Sequence, residues 1–174
     1  PLDQAALNGA DEMTRLLIDA DAAITLPAAI VLDRQEDIER IVRDDPEIMS
    51  TTDNRRWARL LVHASGGASG RVMETLLGTV MRHRAGLSIV NMEDDQETAV
   101  DGAAGYTPLH SAAFHGNNDA VAVLLKHGAN PRTRDSEYCA TPAGWAAYAG
   151  HMETAKLILD ANVDVFDAIN FDRD

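Results

Sequence analysis

A chain of 174 residues that is 45% hydrophobic and 25% charged has the balance of a folded protein, long enough for one domain or a short repeat array. Its formal charge of −13 repels phosphate and argues against nucleic acid as a general partner. Cys139 is the single cysteine, so an internal disulfide and a multi-cysteine zinc site are excluded, and no apolar run approaches the ~20 residues that span a bilayer.

The lone cysteine points to a reducing compartment, so a cytoplasmic location is expected. The chain opens at Pro1 without a Met or a signal-type apolar segment and reads as a fragment or a processed product. In chain order, Leu2 to Gly9, then Leu16-Leu17 and Ala22-Ala23-Ile24, set out a pattern that returns further along. Ala28 to Ile48 reads as a helix pair. Ile38, Ile41 and Val42 hold one face of its second helix, and Asp44-Asp45-Pro46 stops it. Trp57 to Ala64 and Gly70 to His83 form another pair, with Leu76-Leu77 in the same register. Ser65-Gly66-Gly67-Ala68-Ser69 reads as a flexible join between them. Its N–H groups with Arg71 offer an anion cradle, but the Gly-Lys-Ser/Thr ending of a phosphate loop is missing.

From Asn54 to Met92 six arginines stand against Glu74 alone. Neighbouring repeats of complementary charge account for such a run, and a docking site for an acidic partner is the functional alternative. Residues 86–104 are too long for a simple connection. Within them Leu87 to Asn91 is β-prone and reads as a hairpin arm, and Met92 to Glu97 as a solvated acidic loop, with a contact loop particular to this protein as the alternative. Glu93, Asp94, Asp95 and Glu97 lack the calcium-loop spacing with its central glycine.

The C-terminal half repeats itself. Gly105-Tyr-Thr-Pro-Leu-His-Ser-Ala-Ala-Phe-His-Gly116 aligns with Ala140-Thr-Pro-Ala-Gly-Trp-Ala-Ala-Tyr-Ala-Gly150, with Thr107 and Thr141 34 residues apart. Thr-Pro suits a helix start, because the hydroxyl caps free N–H groups and proline fits the first turn. Ala112-Ala113 admit a close neighbour, and Gly116 supplies a left-handed helix end. Ala120, Val121, Val123, Leu124 and Leu125 form the apolar stripe of a second helix, which His127-Gly128-Ala129-Asn130-Pro131 terminates. Ala155, Leu157 and Ile158 repeat that stripe.

Thr107-Pro108-Leu109-His110-x-Ala112-Ala113-x-x-Gly116, followed by Leu124-Leu125-x-x-Gly128-Ala129-Asn130, resembles the ankyrin repeat almost position for position. The second segment departs from it at Ala143 and Gly144, where the family has Leu and His. The chain start is similar, with Asp3 for the usual His and Asp21 for the usual Gly, and Arg34 stands at the Gly position of the following pair. The resemblance implies an all-α fold: an α-solenoid of stacked helix-turn-helix repeats with short hairpin connections. The expected units are 1–25, 26–53, 54–103 with its insertion near 86–104, 104–137, 138–165 and a partial repeat 166–174.

In that family the groove formed by hairpin tips and first helices usually binds protein partners, so a protein-interaction module is the first functional reading. A structural or regulatory segment of a larger protein is the alternative. Phe114 and Tyr148 share a register position on the concave side, where they either form a contact ridge or pack on each other or under a hairpin; His115, Trp145, Arg132, Arg134 and Tyr138 fall on the hairpin and inner-helix surface. Trp145 also fits a structural role, filling the gap left by Ala143 and Gly144. The resemblance makes His110 a turn residue bonded to the next repeat, and His151 is expected to help start a helix.

No enzyme is expected. The six histidines make no HxH or HxxxH pair, so no metal site is anticipated. Cys139 has no local base or oxyanion hole, and its place beside Thr141-Pro142 favours a small buried side chain. No cofactor, no nucleic acid and no membrane is called for, and a monomer is favoured.

Overall fold

The computed structural model describes Leu16 and residues 23–45, 47–48, 54–83, 89–92 and 105–161. Most of the expected unit 1–25, all of 166–174 and most of the 86–104 insertion lie outside the described residues. Among the described residues eight α-helices pair in sequence: α1 (Leu26–Val31) with α2 (Gln35–Asp44), α3 (Asn54–Gly67) with α4 (Gly70–His83), α5 (Pro108–Phe114) with α6 (Asn118–Lys126), and α7 (Pro142–Tyr148) with α8 (Met152–Asp160). The first helices α1, α3, α5 and α7 pack on one another in that order, and α2, α4, α6 and α8 form a second row behind them. The result is an all-α solenoid two helices deep.

Local chemistry sets the helix ends. Thr25 and Thr141 cap α1 and α7 with their hydroxyls, accepting the N–H of Ala28 at 3.4 Å and of Gly144 at 3.2 Å. Gly116 and Gly150 take φ of 69° and 86°, the left-handed conformation expected of them. At the first turn that position is filled by Asp33, with φ 56°, and not by Arg34. A short polar side chain tolerates this region, and the Asp33 carboxylate gains the N–H of Ser69 in the next pair at 2.8 Å.

One apolar cluster runs through the stack, from Leu26 and Ile30 through Trp57, Leu61, Leu76 and Leu77 to Leu109, Leu124 and Ile158. Alanines such as Ala29, Ala64, Ala112, Ala113 and Ala146 let the rows approach closely. Polar side chains bridge successive units. Asn117 accepts from Ala120 N–H at 3.1 Å, capping α6, and donates back to the carbonyls of Ser65 and Ala68 at 3.1 and 2.9 Å.

Three expectations need correction. Residues 65–67 are the last turn of α3, so the join is only Ala68-Ser69. The helix survives its glycines because the Ser65 hydroxyl bonds back to Leu61 O at 2.6 Å and Asn117 satisfies the terminal carbonyls. The described part of the β-prone run, Ile89–Asn91, is one 3-10 turn and not a strand, with Ile89 and Val90 buried. Asn91 ties this turn to the hairpin at Gly128 and Asn130, donating at 3.1 Å and accepting at 2.7 Å. Cys139 is exposed and not buried, in a left-handed conformation with φ 51°.

Candidate partner-binding surface

The hairpin between α6 and α7 is organised by Asp135, a carboxylate only 1% exposed. Its Oδ1 accepts the N–H groups of Glu137 and Tyr138 at 3.0 and 2.6 Å. Its Oδ2 accepts Ala140 N–H at 3.0 Å and the indole Nε1–H of Trp145 at 2.9 Å. Burial alone raises the pKa of such a group, but the N–H groups of Tyr138, Trp145, Ala140 and Glu137 outweigh it and hold the carboxyl below its ordinary value. One ionised side chain therefore fixes both the hairpin and the orientation of Trp145.

Trp145 is the centre of an aromatic cluster. Tyr106, Phe114, Tyr138 and Tyr148 surround it with ring centroids at 5.7, 5.6, 5.4 and 5.8 Å, all close to perpendicular. Edge-to-face geometry of this kind is the favoured aromatic arrangement. Tyr106 is buried against Val62, and Phe114 and Trp145 are half-buried on top of them. Tyr138 and Tyr148 are 63% and 81% exposed. A recess of about 260 Å³ opens between Tyr138, Ala140, Gly144, Trp145 and Tyr148. The Glu137 carboxylate meets the Tyr138 hydroxyl and lifts the phenol above its usual pKa.

The histidines of this region bind backbone. His110 is fully buried; its Nε2 lies 3.2 Å from Ala140 O, and its Nδ1 accepts Thr107 N–H at 3.2 Å. A carbonyl on one side and an N–H on the other define a neutral Nε2–H imidazole, and burial pushes its pKa down despite the Ala140 carbonyl and the Asp135 charge. His110 thus joins its repeat to the next, as the family pattern implies. His115 bonds Ser111 O at 2.9 Å through Nδ1 and lies over Gly66. His151 sits at the start of α8 without capping it by side chain, and its ring covers Gly116.

Of the seven surface residues expected from sequence, Phe114, Trp145, Tyr148 and Tyr138 come together around one ring. Phe114 and Tyr148 do not touch as an isolated pair; Trp145 stands between them. Arg134 reaches the Cys139 carbonyl at 2.7 Å on the same hairpin, and Arg132 is exposed near its base. Asp135 and Tyr106 were not singled out by sequence. The available signal was the 34-residue step, which sets Tyr106 and His110 opposite Ala140 and Gly144.

Paired helices in two rows, Thr-Pro starts and left-handed glycine ends define a helical repeat protein. Residues 2–168 match the family model for ankyrin repeats in three copies, and the chain belongs to the ankyrin repeat family. It is 40% identical over 77 residues, 43% of its length, to a probable E3 ubiquitin-protein ligase of Oryza sativa subsp. japonica. It is 39% identical over 54 residues, 31% of its length, to an IkB-like protein of African swine fever virus. The matched stretches span 17% and 23% of those relatives. Ankyrin repeats are protein-interaction modules and are generally non-enzymatic. Among the described residues no helix is long and apolar enough to cross a membrane.

Proposed function

We propose that this chain binds a protein partner on the concave face and hairpin tips of its C-terminal repeats, and performs no chemistry there. The contact surface is the ridge Phe114–Trp145–Tyr148 with Tyr138, flanked by His115, Arg132 and Arg134. The observation that carries this reading is the exposure of Tyr148 and Tyr138 beside a Trp145 that Asp135 holds in place. Aromatic rings held rigid before binding lose little freedom on docking, which makes them effective anchors. The chain acts as a monomer in the cytoplasm, and its acidity directs it to proteins and not to nucleic acid.

A second reading, a structural or regulatory segment with no partner in trans, draws on the short span the chain covers in its relatives. Capture from a lysate of the source organism separates the two. Wild type is compared with Tyr138→Ala/Tyr148→Ala, since both side chains are exposed and Phe114 is not. A specific partner lost in the double variant, with helical circular dichroism unchanged, supports the ridge. Equal capture by both proteins removes it, and no capture by a folded wild type favours the second reading.

A further inference from the structure

The recess beside Trp145 has a cause in the repeat register. One step earlier, Tyr106 and His110 pack ring on ring at 5.4 Å, and both are buried. Ala140 and Gly144 stand 34 residues further on, at the same register positions, and bring no rings. The space left open is walled instead by Trp145, Tyr138 and Tyr148. Both tyrosines stand nearly perpendicular to the indole, at 85° and 87°. Aromatic rings lining a small opening attract a cation through the negative potential of the faces they turn to it.

The surroundings favour the same occupant. No cationic side chain lines the recess among the described residues, and Arg134 is engaged with the Cys139 carbonyl. The indole N–H is donated to the Asp135 carboxylate, which pushes electron density into the ring. Glu137 stands at the Tyr138 hydroxyl, on an acidic protein whose charge draws cations in. Resting on the binding-module reading above, we propose that the Tyr138–Trp145–Tyr148 recess receives an arginine or lysine side chain from a basic peptide segment of the partner.

Short acetylated and amidated Ser/Gly peptides with one central Arg, Lys, norleucine or Glu test this, titrated to about 10 mM because a single cation contact is weak. Fluorescence reads Trp145, since Trp57, the other tryptophan, is fully buried. The Arg and Lys peptides are expected to saturate at least about five-fold tighter than norleucine and to weaken with salt, while the Glu peptide stays silent. Tyr148→Ala abolishes the response and Tyr148→Phe keeps it. Gly144→Leu, which fills the opening from a helix position where an added Cβ meets nothing nearer than 3.5 Å, also abolishes it. Equal binding of norleucine and Arg overturns the proposal in favour of an apolar slot. No binding by any peptide, with the Tyr148→Ala protein less stable, overturns it in favour of a recess filled within the chain itself. Neither outcome touches the binding-module reading, which the lysate capture decides; a partner captured without any peptide response leaves the module standing and the cation site refuted.

Discussion

The indole N–H of Trp145 donates to Oδ2 of Asp135 at 2.9 Å, and the same carboxylate accepts three N–H groups of its own hairpin. Removing the carboxylate strands four donors at once in a site that is 1% exposed. Asp135→Ala is therefore expected to cost about 3 kcal/mol in urea unfolding, and to shift Trp145 emission as the ring loses its anchor. The folded pKa is depressed, so the contribution of Asp135 is complete above the unfolded value of about 3.9. It is lost as pH falls through the folded value. Asp135→Asn should flatten the stability profile in that acid window; a variant with the wild-type profile refutes the linkage.

His110 gives a second, separate acid response. Its folded pKa is also depressed, because burial favours the neutral ring and outweighs the Ala140 carbonyl and the Asp135 charge. The unfolded chain then binds more protons, so stability from this group is complete above about pH 6.5 and declines below it towards the folded value. Comparing melting temperatures of wild type and His110→Ala from pH 8 to pH 5 isolates the term. The variant is expected to lose about 2 kcal/mol at pH 8, and the gap should narrow towards pH 5. A gap constant across that range excludes His110 as the titrating group.

The repeat architecture was legible because its signals are local and periodic. Thr107-Pro108, Thr141-Pro142, Gly116 and Gly150 each dictate a helix end through their own backbone preferences. The register also brought Phe114, Trp145, Tyr138 and Tyr148 to one surface. What escaped depends on contacts made across the stack. Phe114 and Tyr148 share a register position, yet Phe114 is half-buried because Trp145 of the next repeat covers it. Gly66-Gly67 remain helical because Asn117, about fifty residues away, satisfies the carbonyls of Ser65 and Ala68 on either side of them. Asp135 does recur, with Asp101 one 34-residue step before it, but a repeated aspartate ahead of a Thr-Pro start does not announce the four donors that converge on it.

Two glycines, Gly116 and Gly144, should answer substitution in opposite ways. Gly116 has φ 69°, and a Cβ there meets the His151 ring at 2.6 Å. Gly116→Ala combines left-handed strain with a steric clash and is expected to cost about 2 kcal/mol or more. Gly144 lies inside α7, and its Cβ meets only ordinary contact. Gly144→Ala should be neutral or stabilise by up to about 1 kcal/mol through helix propensity. Paired thermal melts check this, and equal losses at the two positions contradict the assigned backbone geometry.

Asn117 is the clearest case of one side chain serving two repeats, and its two roles can be separated. As an acceptor it caps α6 at Ala120 N–H, which is worth about 1 kcal/mol. As a donor it closes the end of α3 at Ser65 O and Ala68 O, each bond contributing about 1 kcal/mol. Asn117→Ala removes both roles and should lose about 3 kcal/mol in urea titration. Asn117→Asp keeps the cap but sets a carboxylate against two carbonyls. If the bridge to α3 stabilises the stack, Asp is nearly as damaging as Ala, although it is as good a cap as Asn in an isolated helix. A wild-type midpoint for Asn117→Asp means that the inter-repeat bonds add nothing, and that packing of Leu61, Ala64 and Ala113 alone holds α3 against α5.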